Sequence, residues 1–139
     1  MTGRSLRASP DARDDAGIDA WLERLYARTR GGAPRDPERA RRLLARLELT
    51  APPRVVHVVG TNGKGGVAAR VDAGLRAAGL RPLRFLSPHV ERFHERVAVD
   101  DRPVRDDEIR AFLARAWRDE PDPPAAFFEL AFALALDVA

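Results

Sequence analysis

A glycine-rich segment with a single lysine is the part of this chain whose residue types are best suited to chemistry. It follows a β-branched run, 54–59, and reads Gly60-Thr61-Asn62-Gly63-Lys64-Gly65-Gly66. Glycines permit positive φ angles and bring backbone N–H groups close to a polyphosphate, while a following helix offers further N–H donors. The segment therefore predicts an ATP phosphate-binding loop, in which Lys64 holds the outer phosphates and is the catalytic charge.

An ordinary glycine turn between a strand and a helix is the alternative for this segment. The strict pattern G-x-x-x-x-G-K-[ST] is not met, because Val58 occupies the first glycine position and Gly65 follows the lysine. Of 24 basic residues, however, 23 are arginines and Lys64 is the single lysine. A compact ammonium and a planar guanidinium are not equivalent beside a phosphate, so this placement favours a chemical role.

Composition limits the class of protein. A chain of 139 residues fits one domain, and its hydrophobic share of 45% and charged share of 32% are typical of soluble globular proteins, which predicts a cytoplasmic location. Without cysteine, disulfides and thiolate metal sites are excluded. The longest apolar run, 125–135, is too short to span a bilayer, so no membrane association is expected. Residues 1–16 lack the apolar core of a secretory signal and predict a mobile tail.

The basic charge balance raises the question of nucleic acid. The formal net charge is +3, yet acidic residues are interleaved with the arginines, as in 35–39 and 105–108. Because no long single-sign stretch builds a strong field, a solvated surface is favoured and no nucleic-acid partner is expected. A small non-enzymatic basic binding domain stays open as an alternative.

The spacing of apolar residues predicts the elements around the loop. Helices are predicted from Ile18 to a break at Gly31-Gly32, from the N-cap Asp36 with Pro37 at the first helical position, and from Val67 to the C-cap Gly79. Further helices are predicted from an N-cap at 106 or 107 and over 125–136. Runs 54–59 and 81–86 predict parallel strands, the first buried on both faces, joined through the loop and a helix as a βαβ unit. Residues 87–105 read as a loop with a short extended piece at 96–99, residues 119–124 as a proline-rich linker, and 137–139 as the opening of another strand. The predicted fold class is α/β, a parallel sheet with flanking helices, and incomplete because two parallel strands alone are marginal.

Three ordered motifs carry a resemblance to a known family. They read HVVGTNGKGG at 57–66, SPHVERFHERV at 87–97 and FFELAFAL at 127–134. In the folylpolyglutamate synthase and dihydrofolate synthase family of the Mur ligase superfamily, the corresponding landmarks are HVxGTNGKGS, SPHLxxFxERI and FFExxTxxAF. The chain resembles this family over 18–139, which corresponds to about the first third of a family enzyme.

The resemblance implies a fold, a reaction and a set of site residues. Residues 17–139 would form the amino-terminal part of the central ATP-binding domain of a Mur-ligase-like enzyme. The implied enzyme is a monomer that uses ATP and Mg²⁺ to add L-glutamate to dihydropteroate or reduced folates through an acyl phosphate. Ser87 would be a magnesium ligand, and the pteroate site would be lined by Arg24, Leu25, Ala126, Phe127 and Phe128. By composition alone, the aromatic residues of the last helix are equally consistent with a hydrophobic core.

The sequence also departs from the family pattern. Gly66 stands where the family has a hydroxyl residue, and Ala126 and Phe132 stand at family threonine positions. The family's second magnesium ligand, a glutamate, lies beyond Ala139, so the 139-residue chain is expected to lack ligase activity by itself. Another P-loop ATP-binding protein or a peptidoglycan-type Mur ligase stays open as an alternative.

Two weaker expectations concern residues near these motifs. His57 is expected to be a hydrogen-bonded core histidine, because it lies within the predicted buried strand. Glu95 and Arg96 are expected to order their loop through a local ion pair. Neither His89 nor His94 has a partner at metal-ligand spacing.

Overall fold

The computed structural model describes residues 17–28, 36–118 and 125–139. The predicted tail 1–16, the Gly31-Gly32 break after the first helix and the linker 119–124 lie outside the described residues. The helices are α1 (Ile18–Ala27), α2 (Pro37–Arg46), α3 (Lys64–Ala77), α4 (Asp106–Ala116) and α5 (Phe127–Asp137), and the strands are β1 (Leu83–Phe85), β2 (Val97–Val99) and β3 (Arg102–Pro103). A single 3₁₀ turn, Phe93–Arg96, precedes β2. No helix among the described residues is long and apolar enough to cross a membrane.

The helix boundaries show the local signals that the sequence predicted, with one correction. The Asp36 carboxylate accepts the N–H of Glu38 at 2.9 Å, which satisfies one free donor at the start of α2. Gly79, with φ +78°, follows the end of α3 and takes a conformation that other residues rarely adopt. The residue that precedes α4 is Arg105 rather than an aspartate, and the Glu108 carboxylate accepts its N–H at 2.8 Å. A side chain in the first turn thus replaces the predicted aspartate cap.

The sheet is antiparallel, with strand order β1-β2-β3. Leu83 lies opposite Val99, and Phe85 lies opposite Val97. β2 and β3 form a hairpin whose two turn residues, 100 and 101, have φ of 52° and 63°. Two consecutive positive φ angles suit a two-residue hairpin, because they match the right-handed twist of the strands. β1 lies within the predicted strand 81–86 and β2 within the extended piece predicted at 96–99, whereas β3 lies in residues that were predicted to be a loop.

The predicted parallel βαβ unit is not present among the described residues. No strand is assigned over 54–59, and Val55, Val56 and Val59 are 71%, 64% and 75% exposed. His57 is exposed as well, so its predicted place in a core strand is wrong. A β-branched run becomes a strand only when a neighbour supplies hydrogen bonds, and no neighbouring strand in the described parts of the chain does so. The predicted strand at 137–139 is also wrong, since Asp137 ends α5 and Val138 donates its N–H to Leu134 at 3.2 Å.

The core lies around α5, which packs against α1, α2, α4 and the sheet. It is buried on almost every side, and Leu130, Ala133 and Leu134 are at most 1% exposed. A helix that is apolar around most of its circumference requires such a central position. Trp21 of α1 stacks on Trp117 at a ring distance of 5.2 Å, which joins α1 to the end of α4.

Helix α3 is held differently from the others. Its only buried residue is Asp72, whereas Val67 of the predicted apolar stripe is 47% exposed. The Asp72 carboxylate lies 3.1 Å from Arg76 on the same helix and 3.4 Å from Arg84 of β1. An ion-pair cluster, rather than an apolar stripe alone, thus fixes the helix that follows the glycine loop against the sheet.

Candidate functional site

The glycine loop has the backbone geometry that its glycines predict. Gly60 has φ +143° and Gly63 has φ +75°, and both lie in a range that residues with a Cβ rarely adopt. Gly63 precedes α3, and Lys64 is its first residue. The Lys64 ammonium donates to the carbonyl oxygens of Gly60 at 2.6 Å and Thr61 at 3.1 Å. The lysine therefore closes the loop through the loop's own backbone.

The space in front of the loop is open. A Cβ added at Gly63 or Gly65 would meet no atom within 4 Å. No side chain in the described parts of the chain caps the start of α3, and the first N–H groups of a helix have no acceptor within the helix. Thr61 and Asn62 are exposed. Free N–H donors, the positive end of a helix dipole and an adjacent ammonium fit a polyphosphate.

The segment that follows β1 carries the predicted metal ligand, Ser87. Ser87 is exposed, and its peptide bond to Pro88 is cis. Among the described residues, no group of three or more histidine, cysteine, aspartate or glutamate side chains could hold a metal ion. Mg²⁺ commonly takes one or two protein ligands and completes its shell with water and phosphate oxygens. The single Ser87 hydroxyl fits such a nucleotide-borne ion, as one ligand among several.

Glu95 orders the residues after Ser87 through backbone donors. Its carboxylate accepts the N–H groups of Val90 at 2.8 Å, Glu91 at 3.0 Å and Arg92 at 2.8 Å. These bonds, the one from Val90 first, hold the pKa of Glu95 below its ordinary 4.5 because they favour the ionised carboxylate. The ion pair expected between Glu95 and Arg96 is therefore replaced by hydrogen bonds from three successive backbone amides to the Glu95 carboxylate, here called the Glu95 clamp.

Arg96 instead turns towards His89, in the same segment. Its Nε donates to His89 Nδ1 at 2.7 Å, and His89 Nε2 lies 3.4 Å from the hydroxyl of Tyr26 on α1. Since a guanidinium only donates, Nδ1 must be the acceptor, and a neutral ring then carries its proton on Nε2, facing Tyr26. Burial lowers the pKa of His89, and the charge of Arg96 lowers it further. Burial also raises the pKa of Tyr26, so the Tyr26 hydroxyl and the His89 ring are both neutral at neutral pH.

The residues predicted to line a pteroate site divide into buried and exposed ones. Leu25 is 1% exposed and Phe127 is 7% exposed, whereas Phe128 is 52% exposed. The guanidinium of the exposed Arg24 lies 4.0 Å from the centre of the Trp117 ring. Leu25 and Phe127 are core residues in this conformation, and Phe128 and Arg24 are the predicted residues whose side chains reach the surface.

The exposed aromatic face of α5 borders the Ser87 segment. Phe85, two residues before Ser87, makes edge contacts with Phe128 at 5.6 Å and with Phe132 at 5.9 Å. Phe127 on the buried side stacks on Tyr26 at 5.5 Å. The structure thus brings α1, the Ser87 segment and α5 together. The loop helix α3 joins them through the ion pairs of Asp72 and β1.

A buried ion pair beneath this face was missed by the sequence analysis. Arg39 of α2 donates through Nε to Glu129 of α5 at 2.7 Å, and the N–H of Ala126 donates to the same oxygen at 2.8 Å. The side chains of Arg39 and Glu129 are 8% and 9% exposed. The one available signal was a glutamate inside an otherwise apolar helix, because such a charge needs a buried partner.

Comparison with known proteins is consistent across sequence and structure. Over 105 residues the chain is 35% identical to the folylpolyglutamate synthase of Lacticaseibacillus casei. This match covers 68% of this chain and 24% of that protein. Over 111 residues it is 32% identical to the dihydrofolate synthase/folylpolyglutamate synthase of Escherichia coli K12. This match covers 79% of this chain and 26% of that protein. No family model matches the chain.

Solved structures agree with these sequence matches. Escherichia coli FolC in complex with DHPP and ADP superimposes with a TM-score of 0.77 at 28% identity, over 94% of this chain and 31% of that one. A bifunctional folylpolyglutamate synthase/dihydrofolate synthase from Yersinia pestis, complexed with AMPPNP and Mn ion, superimposes with a TM-score of 0.71 at 29% identity, over 94% and 32%. The helices and small sheet described above are therefore those of a Mur-ligase-type fold.

Within that class, the sequence matches are to one family. The chain belongs to the folylpolyglutamate synthase and dihydrofolate synthase family, and it spans about a quarter of the length of the two curated relatives above.

Proposed function

We propose that this chain forms part of an ATP-dependent ligase that adds L-glutamate to dihydropteroate, to reduced folates or to both. The observation that carries this proposal is the position of the single lysine. Lys64 begins α3, whose first turn no side chain in the described parts of the chain caps, and its ammonium bonds to the carbonyl of Gly60 at 2.6 Å. Membership of the family supplies the reaction, and the loop supplies the place where its nucleotide would bind.

In this proposal, ATP supplies the γ-phosphoryl group that activates the pteroate or folate carboxylate as an acyl phosphate, from which the amine of glutamate displaces phosphate. Residues 60–66 would bind the phosphates through backbone N–H groups. Lys64 would leave the carbonyls of Gly60 and Thr61 for the outer phosphate oxygens and neutralise their charge. Hydrogen-bond donors and cations that are already positioned at the charge that develops in the transition state supply most of the rate enhancement in such reactions.

The metal site is proposed to need few protein ligands. Ser87 would supply one hydroxyl to Mg²⁺, and phosphate oxygens and water would complete the shell. Gly66 offers no hydroxyl, so backbone donors of the loop would make the contacts that a side chain makes elsewhere in the family. The analogue AMPPNP and Mn ion bound to the Yersinia pestis relative support nucleotide and divalent metal as the ligands to test.

For the acceptor, we propose a site beside the exposed face of α5. Phe128 and Phe132 offer partly exposed rings beside Phe85, two residues before Ser87, and Arg24 offers a cation on α1. A flat heterocycle stacks on such rings, and a cation suits a carboxylate. Leu25, Ala126 and Phe127 would shape this site from beneath. We propose a cytoplasmic setting and a monomeric full-length enzyme, as expected for small-molecule substrates.

Nucleotide binding by the isolated chain tests the proposal. Calorimetric titration with AMPPNP and Mn²⁺ should show one site, and Lys64→Ala should weaken it about tenfold or more, since a hydrogen bond to a charged group contributes about 1.5–3 kcal/mol. Arg54→Ala is the matched control, because it removes an exposed positive charge outside the loop and should leave the affinity unchanged. Equal loss in both variants would identify a general basic surface instead.

A second titration separates the proposal from its rivals. Dihydropteroate should bind the wild-type chain, whereas another P-loop ATPase or a peptidoglycan-type ligase would bind nucleotide alone. A non-enzymatic basic binder would lose affinity steeply with salt and would not respond to Lys64→Ala. The 139-residue chain itself is expected to bind without joining glutamate to dihydropteroate, and detectable product would contradict that expectation.

A further inference from the structure

Arg96 lies where three segments of the molecule meet. It is 7% exposed, and its Nε bonds to His89 in the Ser87 segment at 2.7 Å. Its guanidinium carbon lies 5.0 Å from the centre of the Phe127 ring on α5. Phe127 in turn stacks on Tyr26 of α1, whose hydroxyl faces His89. One buried cation therefore contacts both the Ser87 segment and the helix that carries the exposed aromatic face.

Glu95 holds the same segment through separate hydrogen bonds. Its carboxylate accepts the N–H groups of residues 90, 91 and 92, all within 3.0 Å. The two neighbouring residues thus hold the turn after Ser87 by independent means, one through the backbone and one through the His89 ring. A hydroxyl binds a metal ion more tightly when its backbone is already held in place, because less ordering entropy is then lost on binding.

We propose that Glu95 and Arg96 are positioning residues that fix the backbone of the Ser87 segment for a divalent metal ion, and that Arg96 links this segment through His89 and Phe127 to α1 and α5. This inference rests on the proposed function, since it takes Ser87 as the metal ligand. The linkage joins the metal side of the site to the face where the acceptor carboxylate is proposed to bind. A shift of α1 or α5 on acceptor binding would then reach Ser87 through side-chain contacts already present.

Three conservative substitutions, two of them with an exposed control, test these contacts. Glu95→Gln keeps the size of the side chain and weakens its hold on the amides, and Glu91→Gln makes the same change at an exposed neighbour. Tyr26→Phe removes only the hydroxyl that faces His89 and keeps the ring on Phe127. Arg96→Lys keeps the charge and removes the Nε donor, and Arg92→Lys is its exposed counterpart.

Four readouts are compared on the whole 139-residue chain. Amide hydrogen exchange of residues 89–92 reports the order of the segment, and the thermal midpoint reports global folding. Electron paramagnetic resonance of free Mn²⁺ gives the metal affinity in the presence of AMPPNP, beside the affinity for AMPPNP without metal. Glu95→Gln and Arg96→Lys should speed exchange of the segment about tenfold and weaken Mn²⁺ several-fold while metal-free AMPPNP affinity is kept. Tyr26→Phe should give a smaller change in the same direction, and both exposed controls should give none.

Each remaining outcome counts against the proposal. Unchanged exchange at 89–92 in Glu95→Gln and Arg96→Lys would show that these contacts do not hold the segment. Faster exchange with unchanged Mn²⁺ affinity would show that Glu95 and Arg96 order the segment but that this order does not contribute to metal binding. If an altered chain falls in thermal midpoint and loses metal-free AMPPNP affinity as well, the residue has only a structural role. If the wild-type chain binds neither AMPPNP nor Mn²⁺, the proposed function fails first and the positioning role fails with it.

Discussion

The ammonium of Lys64 lies 2.6 Å from the carbonyl oxygen of Gly60, so the single lysine of the chain is bound to the loop that it closes. The carbonyl oxygens of Gly60 and Thr61 both accept hydrogen bonds from this ammonium. Under the proposed function, phosphate oxygens would replace these two acceptors, and a compact ammonium can exchange one oxygen acceptor for another.

Substitution of this lysine by arginine tests that requirement. Lys64→Arg keeps the positive charge but replaces a point charge with a wider planar group, which the loop carbonyls and a phosphate cannot share in the same way. We expect AMPPNP affinity to fall by about tenfold, which corresponds to about 1.4 kcal/mol. Calorimetric titration measures it, and an affinity equal to that of the wild-type chain would show that charge alone suffices.

The buried pair of Arg39 and Glu129 should matter for folding. Glu129→Gln leaves the Arg39 cation buried without its carboxylate, and breaking a buried pair from one side costs about 3 kcal/mol. Urea unfolding should show this loss in the free energy of unfolding. Glu38→Gln is the control, because its pair with Arg41 is exposed and such pairs contribute about 0.2–1 kcal/mol. Equal losses in the free energy of unfolding from the two substitutions would contradict a special contribution of the buried pair to stability.

The attachment of α3 to the sheet should depend on Asp72. Asp72→Asn keeps the shape but removes the charge that Arg76 and Arg84 share, so a local loss of about 1–2 kcal/mol is expected. Amide hydrogen exchange should quicken in α3 and stay unchanged in α5. Asp19→Asn, at an exposed aspartate of α1, is the control. Uniform quickening across both helices would mean that Asp72 supports the whole fold rather than this helix.

The clamp made by Glu95 predicts a dependence on pH. Its pKa is lower in the folded chain than the ordinary 4.5, so the ionised carboxylate is the form that the fold favours. Such a group contributes its full stability above 4.5, and that contribution is lost as the pH falls through the lower, folded pKa. Amide exchange at 90–92, corrected for intrinsic rates, should therefore lose protection below pH 4.5 in the wild-type chain. Glu95→Gln should lack this step, and a step of equal size in both chains would exclude the clamp as its source.

The local features of the fold could be predicted from the sequence because short-range rules govern them. Asp36 and Pro37 mark the start of α2, and Gly79 marks the end of α3, through hydrogen bonds and φ angles set by near neighbours. The backbone conformation of the glycine loop was predicted for the same reason, since Gly60 and Gly63 take the positive φ angles that glycine permits. A turn needs no distant partner to form.

The pairing of strands was mispredicted because it depends on distant partners. Residues 54–59 have the β-branched composition of a buried strand, yet no described residue pairs with them and their valines are exposed. β2 lies within the extended piece predicted at 96–99, but its partner β3 was missed, because the Asp100-Asp101 turn is not among the strongest hairpin signals. The resemblance to a family implied a metal-ligand role for Ser87, which stays a prediction, and it gave no geometry for the Arg96 to His89 contact, which only the folded chain shows.

Residue-resolved titration with AMPPNP and Mg²⁺ tests the central claim most directly. In the nitrogen–proton NMR spectrum of the 139-residue chain, the amides of Gly60 to Gly66 should shift in a saturable manner, because their N–H groups would bind the phosphates. The same titration of Lys64→Ala should shift them little at equal ligand concentration. Saturable shifts confined to other residues, or equal shifts in the two chains, would contradict a phosphate-binding role for this loop.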